Sequence, residues 1–133
     1  MDQQEKFDYW LDIAEYDLET AEAMLSSRRW LYVVFMCQQS IEKLVKGLYT
    51  LYVCDEIPRT HNISYLLHKF EDQLKEPVTN SRYDLFEKLR IYYIEGRYTD
   101  YKQKLSKSVD EQTARSLMKE TGEAFKWLLS MKK

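Results

Sequence analysis

Residues 30–54 form the most apolar stretch of the chain and have the sequence WLYVVFMCQQSIEKLVKGLYTLYVC. Their apolar side chains recur at three- and four-residue spacing, which predicts an α-helix from Trp30 to about Cys54. Polar residues begin at Gln38, so the apolar run falls well short of the about 20 residues that a membrane span requires. A transmembrane role is therefore excluded for this helix.

A second long helix is predicted ahead of this stretch, over about residues 3–26. Asp2 can cap its start with Glu5 three residues later, and apolar residues from Phe7 to Leu25 recur at helical spacing. Only the segment 26–29 separates the two helices. A connection this short makes them antiparallel neighbours.

Three further helices are predicted in the rest of the chain. Asn62 can cap a helix that ends near Leu74, and apolar residues from Tyr83 onward indicate another helix up to Gly96. The segment Ser108-Val109-Asp110-Glu111 is a capping box, which predicts the start of the last helix.

The composition also favours a helical protein. Three Gly and two Pro in 133 residues are too few for the turns of a many-stranded sandwich or barrel, whereas 32% charged residues suit long amphipathic helices. The length fits one domain, and 44% hydrophobic residues can supply a core without a disulfide or a metal. The predicted fold is an all-α, up-and-down bundle of about five helices, forming a single domain over residues 1–133.

Charge is distributed unevenly along the chain. The net charge of −2 gives no overall positive field that would attract nucleic acid. Residues 1–27 hold eight acidic residues against Lys6 alone, whereas residues 82–107 hold seven basic residues against four acidic ones. Any phosphate-binding surface is therefore predicted within residues 82–107.

The two cysteines, Cys37 and Cys54, lie within apolar helical pattern, without a CxxC motif or a histidine-rich neighbourhood. This excludes a zinc site and indicates buried thiols in a reducing compartment. The first six residues are acidic and polar rather than basic and then apolar, so no signal peptide is predicted. We expect a cytoplasmic protein with no metal and no resident cofactor.

Three polar features are not explained by helix packing alone. In the first, Gln39, Lys43 and Lys46 share one face of the most apolar helix, because they are separated by four and three residues. This face could be a polar interface or the wall of a ligand site. The structural alternative is a solvated stripe in which Glu42 and Lys46 form an ion pair at i, i+4.

The second feature is Thr60-His61-Asn62, at the start of the predicted third helix. The N-terminus of a helix has free amides and the positive end of the helix dipole, so His61 beside it could hold an anion or donate a proton. In the alternative, Asn62 caps the helix and His61 only packs over its end.

The third feature is the tyrosine-rich run over residues 92–101, YYIEGRYTDY. A guanidinium flanked by aromatic rings suits bidentate contact with phosphate, so Arg97 could hold phosphate while Tyr98 or Tyr101 stacks on a base. In the alternative, these tyrosines form the rim of the core, with buried rings and solvated hydroxyls.

Together with a pattern in the first helix, these features carry a resemblance to a known family. The sequence resembles the HEPN family, the higher eukaryote and prokaryote nucleotide-binding domain, over nearly the whole chain. Four motifs carry the resemblance, in this order: WLxxAxxDLxxA at 10–21, FxCQQSIEKxxKG at 35–47, PxTHNI at 58–63 and RYxD at 97–100.

The resemblance implies a compact helical bundle that commonly dimerises and is often encoded beside, or fused to, a minimal nucleotidyltransferase. Members act as nucleotide- or substrate-binding partners of that enzyme, or as ribonucleases in toxin–antitoxin and defence systems. The ribonuclease branch carries an Arg followed four to six residues later by His. Here Arg59 lies two residues before His61 and nine before His68, and no histidine follows Arg97.

The first hypothesis is therefore a noncatalytic nucleotide- or phosphate-binding HEPN module, acting as a homodimer with a nucleotidyltransferase partner and with RNA as a further candidate ligand. Its binding residues would be Arg97, Tyr98, Tyr101, His61, Lys43 and Gln39. The second hypothesis is a divergent, metal-independent ribonuclease that uses His61 with Arg97. The third is a protein-interaction module, in which the acidic face of the first helix or the tyrosine-rich surface binds a protein and no small ligand.

Overall fold

The computed structural model describes residues 1–53, 55–95 and 109–133, without the side chains of residues 94 and 95. The described residues form five α-helices and no β-strand. The all-α helical bundle predicted from the sequence is confirmed. The helices are α1 (Gln3–Ser26), α2 (Trp30–Tyr52), α3 (Ile63–His68), α4 (Asn80–Glu95) and α5 (Glu111–Ser130), with a 3₁₀ turn at Glu71–Gln73.

The central helix is α2, which contacts each of the other four helices. Most of its 23 residues are buried. The helix α1 lies close to α2 at Gly47, where an added Cβ would lie 3.1 Å from Cβ of Trp10 and 3.2 Å from Cδ2 of Phe7. The absence of a side chain at Gly47 is therefore what lets α1 and α2 pack at this short distance.

Two of the predicted helix starts are confirmed by their capping hydrogen bonds. Oδ1 of Asp2 accepts a hydrogen bond of 2.8 Å from the backbone N–H of Glu5. Oδ1 of Asn62 accepts one of 3.1 Å from the backbone N–H of Tyr65. These bonds satisfy amides that have no partner inside the helix, so the side chains fix where α1 and α3 begin.

Two predicted helix ends were placed too late in the sequence. The helix α2 ends at Tyr52, because Val53 adopts extended backbone angles; the predicted end, Cys54, lies outside the described residues. The helix α3 ends at His68 rather than near Leu74, because Phe70 leaves the helical conformation before the 3₁₀ turn.

The starts of α4 and α5 are each marked by a hydrogen bond to a side chain just ahead of the helix. The helix α4 begins ahead of Tyr83, where the hydroxyl of Thr79 accepts a 3.3 Å hydrogen bond from the backbone N–H of Arg82. The segment 108–111 leads into the last helix as predicted, since α5 begins at Glu111. Asp110 is the N-cap of α5 and accepts a 2.8 Å bond from the backbone N–H of Thr113; Ser108 lies outside the described residues.

The core is a single cluster of buried apolar side chains contributed by all five helices. Cys37 is buried in it, as predicted, and burial raises the pKa of its thiol to about 11. No helix in the described part of the chain is long and apolar enough to cross a membrane. Few polar residues are buried among the described ones. Four of them lie on α2 and one on α5: Gln38, Ser40, Glu42, Thr50 and, on α5, Thr121.

Candidate functional site around Glu42

A buried carboxylate, Glu42 on α2, lies among the polar residues that the sequence singled out. Its oxygens are 3.0 Å from Nδ1 of His61 and 3.0 Å from Nζ of Lys46. Nζ of Lys43 lies 3.5 Å away. The group that surrounds this carboxylate, here called the Glu42 cluster, consists of Gln38, Gln39, Glu42, Lys43, Lys46 and His61.

The helix α2 supplies every member of the cluster except His61. Helical spacing places Gln38, Glu42 and Lys46 four residues apart, so their side chains follow one another along the same side of the helix. His61 reaches the cluster from the segment that leads into α3. Nε2 of Gln38 donates a 2.9 Å hydrogen bond to the backbone carbonyl of His61, which holds this segment against α2.

The amide of Gln38 is completely buried, and its orientation is determined by two acceptors. Its Nε2 lies 2.9 Å from the carbonyl of His61 and 3.4 Å from Oε1 of Glu42, so the reversed amide would bring oxygen against oxygen. Oε1 of Gln38 has no hydrogen-bond partner within the described residues. An unpaired buried acceptor costs about 1–3 kcal/mol.

The surrounding charges keep Glu42 ionised. Burial alone would raise its pKa, but the ammonium of Lys46, together with Lys43 and His61, outweighs burial and brings the pKa below its ordinary value. Asp17 of α1 faces the same cluster. Burial raises the pKa of Asp17, Lys43 lowers it and Glu42 raises it further. The cluster is therefore an ionic network that joins α2 to the segment before α3, and Asp17 of α1 lies close enough for its charge to interact with those of Lys43 and Glu42.

Two side chains at the outer edge of the cluster join it to α4. Nζ of Lys43 lies 3.3 Å from Oε1 of Gln39, and Nε2 of Gln39 donates a 3.3 Å hydrogen bond to the hydroxyl of Tyr93. The centres of the Tyr93 ring and the His61 imidazole are 5.2 Å apart. Three candidate binding residues, Gln39, Lys43 and His61, thus occur at one place beside an aromatic ring.

The other three candidate residues, Arg97, Tyr98 and Tyr101, lie outside the described residues.

The alternative of a solvated stripe on α2 describes the cluster only in part. The ion pair between Glu42 and Lys46 is formed, but no part of the Glu42 side chain is exposed, and only 12% of the Lys46 side chain is.

Sequence reasoning missed Glu42 as the centre of the site, and it missed Gln38 and Tyr93. A signal for the first two was present. Gln38 and Glu42 are spaced with Val34 and Val45 at helical intervals, so two polar residues occupy positions on the apolar side of α2. No comparable signal distinguished Tyr93 from the other tyrosines in its run.

The arrangement is suited to holding a polar ligand. The imidazole of His61 is fixed through Nδ1, and 45% of its side chain is exposed. The ammonium of Lys43 and the amide of Gln39 provide donors next to it. In the part of the chain that the structure describes, no group of three or more His, Cys, Asp or Glu side chains could hold a metal ion.

A separate cleft of about 610 Å³ lies between the start of α1 and the segment after α2. None of the candidate residues lines it. Among the described residues, the buried polar atoms without a partner belong to Gln38 and Thr121, and neither residue lines this cleft. The Glu42 cluster is therefore the better supported site. The cleft is lined by Gln3, Lys6, Trp10, Thr50, Val53, Asp55, Glu56 and Ile57.

Fold and site together define a class of protein: an all-α bundle whose central helix carries a buried ionic network beside a partly exposed histidine. The model of the HEPN domain matches residues 7–132, and the chain belongs to this family. The family resemblance inferred from the sequence is confirmed.

A solved structure has the same fold. The crystal structure of TT1696 from Thermus thermophilus matches with a TM-score of 0.80 and 20% sequence identity, over 95% of this chain and 98% of that one. At this identity the match establishes the fold alone. None of the curated proteins matches the sequence.

Proposed function

We propose that this HEPN chain is a noncatalytic module that binds a nucleotide or a related phosphate ligand at the Glu42 cluster. In this proposal the chain is a single domain over residues 1–133 that acts as a homodimer with a minimal nucleotidyltransferase, in a toxin–antitoxin or related system. The homodimer and the partner rest on the family resemblance. The ligand site rests on one observation, the convergence of Gln39, Lys43 and His61 around the buried Glu42.

Lys43 is the ammonium best placed to contact phosphate. Lys46 lies 3.0 Å from Glu42 and only 12% of its side chain is exposed, whereas Lys43 lies 3.5 Å away and 22% of its side chain is exposed. Glu42 thus neutralises Lys46 first and leaves Lys43 more available. In the proposal, Arg97 contributes a second phosphate contact, and Tyr98 or Tyr101 stacks on the base.

A thermal-shift panel tests this function directly. ATP, AMP, GTP and a short RNA are added to the wild type, to Lys43→Met and to Arg97→Ala. A ligand at 100 times its Kd adds about 2.7 kcal/mol of stability, which is easily measured. We expect a rise in Tm with a nucleotide that both substitutions reduce.

A matched control uses Lys126→Met, which removes an exposed lysine from α5. This variant should respond to nucleotide as the wild type does. The absence of any shift with ATP, AMP and GTP at millimolar concentration would overturn the proposed function and favour a protein-interaction module.

One observation favours a second function, a metal-independent ribonuclease. A histidine held through Nδ1 by a buried carboxylate can exchange a proton with a substrate through Nε2, as a general acid or base does. His61 and Glu42 have this geometry, with Nδ1 and Oε1 3.0 Å apart. The missing arginine–histidine motif of the ribonuclease branch argues against it.

Cleavage assays separate the two functions. Purified protein is incubated with single-stranded and structured RNA in the presence of a metal chelator. The binding-module proposal predicts intact RNA. Cleavage that His61→Ala abolishes and His68→Ala leaves unchanged would support the ribonuclease instead.

A further inference from the structure

The two ring nitrogens of His61 have different surroundings. Nδ1 lies 3.0 Å from Oε1 and 3.2 Å from Oε2 of Glu42. An ionised carboxylate can only accept hydrogen bonds, so Nδ1 must carry the hydrogen of this bond. In the neutral ring Nε2 then carries no hydrogen and is an acceptor.

The backbone on both sides of this ring is also fixed. The carbonyl of His61 accepts a hydrogen bond from Gln38, and the next residue, Asn62, caps α3 through the N–H of Tyr65. The hydroxyl of Thr60 accepts a 3.1 Å bond from the N–H of Asn62. A flip of the imidazole would bring a ring carbon to Glu42 and lose the bond to Nδ1, so the two nitrogens cannot exchange roles freely.

Nε2 is the ring nitrogen that does not contact Glu42, and 45% of the His61 side chain is exposed. The structure gives this atom no hydrogen bond to any residue in the ranges 1–53, 55–95 and 109–133. Its acceptor character decides what it can bind. A phosphate oxygen would place two acceptors against each other, whereas a hydroxyl would complete a hydrogen bond.

We infer that Nε2 of His61 accepts a hydrogen bond from a ribose hydroxyl, so that the site prefers a nucleotide that carries this hydroxyl to the matching deoxynucleotide. This inference rests on the nucleotide-binding function proposed above. His61 and Lys43 contact the same carboxylate, so a hydroxyl at the first and a phosphate at the second occupy neighbouring positions. A nucleotide carries both groups on one sugar, the phosphate at one end and the hydroxyls at the other.

The tautomer of His61 is tested without any ligand. Long-range ¹H–¹⁵N NMR spectra at pH 8, where a free imidazole is neutral, show which ring nitrogen carries the proton. His68→Ala assigns the remaining signals to His61. We expect protonated Nδ1 and unprotonated Nε2. The opposite tautomer would overturn the inference whether or not a nucleotide binds.

Calorimetric titration at pH 8 tests the choice of ligand with AMP, 2′-deoxy-AMP and 3′-deoxy-AMP. Loss of one hydrogen bond should weaken binding of one deoxy compound by up to about tenfold. The same compound and AMP should bind His61→Ala equally, while His68→Ala should keep the preference.

The titrations distinguish a failure of this inference from a failure of the proposed nucleotide-binding function. Equal affinity of all three nucleotides for the wild type would overturn the selection of ribose and leave the proposed function standing. Absence of binding by all three would overturn the proposed function itself.

Discussion

The chain contains two histidine–glutamate pairs with nearly the same geometry and very different surroundings. His61 and Glu42 approach to 3.0 Å, and His68 and Glu71 approach to 3.1 Å. The Glu42 side chain is fully buried, whereas 38% of the Glu71 side chain is exposed. The two pairs differ in the exposure of the carboxylate to water. This difference decides how much each pair contributes to the stability of the fold and whether it can form part of a ligand site.

The exposed pair serves a local structural purpose. The hydroxyl of Tyr83 on α4 donates to Glu71, which lowers the pKa of this carboxyl, and the ring of Tyr83 stacks on His68 with centres 5.0 Å apart. Burial and the nearby Glu71 raise the pKa of Tyr83. These contacts join the turn after α3 to α4, where water competes with each of them.

Removal of each carboxylate should give the largest contrast. Glu42→Ala removes the buried carboxylate that Lys43, Lys46 and His61 share, and breaking a buried ion pair costs about 3–5 kcal/mol. Glu71→Ala breaks an exposed pair, worth about 0–1 kcal/mol. Urea unfolding followed by circular dichroism measures both. Equal losses would show that burial does not distinguish the two pairs.

Gly47→Ala disturbs the packing of α2 without removing a charge. It therefore shows how much stability a disturbance of α2 costs by itself, for comparison with Glu42→Ala. Its new methyl group would lie 3.1 Å from Cβ of Trp10. Overpacking of this kind costs about 1–3 kcal/mol. The control, Gly122→Ala on α5, meets nothing within 4 Å and should be stabilising by up to about 1 kcal/mol.

The unfolding free energy should also depend on pH, below about pH 6, in a way that reflects the buried Glu42. The pKa of Glu42 is lowered on folding. Its contribution is therefore complete above the unfolded pKa of about 4.3 and is lost as the pH falls through the lower, folded pKa. We expect the difference in unfolding free energy between wild type and Glu42→Gln to shrink from pH 6 to pH 3. A constant difference would contradict the lowered pKa.

Removal of each imidazole should have the smallest effect on stability. His61→Ala leaves Glu42 paired with Lys46 and Lys43, so we expect a loss of about 1–2 kcal/mol, near the value of a hydrogen bond to a charged group. His68→Ala removes an exposed contact and should cost less than about 0.5 kcal/mol. Thermal unfolding of both variants at pH 7 measures the difference. A larger loss for His68→Ala would reverse the ranking of the two pairs.

Most of the fold could be predicted from the sequence, because helical periodicity is strong along α1, α2 and α5. The apolar faces that the spacing indicates are buried. They include Phe7, Ala14 and Ala21 on α1, and Leu117 and Leu128 on α5. Helix ends were less predictable, since they depend on single capping bonds. Asp110 and Ser108 are both acceptable caps in the sequence, and the structure uses Asp110.

The candidate site could be predicted only in part. Spacing along α2 grouped Gln39, Lys43 and Lys46, since neighbours on one helix are fixed by local geometry. The contact between His61 and Glu42 joins residues 19 positions apart and depends on how the segment before α3 returns to α2. The sequence singled out His61 for its place before α3, but it gave no sign that the carboxylate facing His61 is buried, because burial is a property of the folded core.

The central claim is that the buried Glu42 presents His61 and Lys43 to a nucleotide. Calorimetric titration of AMP into wild type, His61→Ala and His68→Ala at one pH tests it most directly. The account predicts saturable binding to the wild type and His68→Ala, and binding to His61→Ala that is weaker by up to about tenfold. Equal binding to all three proteins would place the ligand elsewhere, and no binding to the wild type at millimolar AMP would contradict the account.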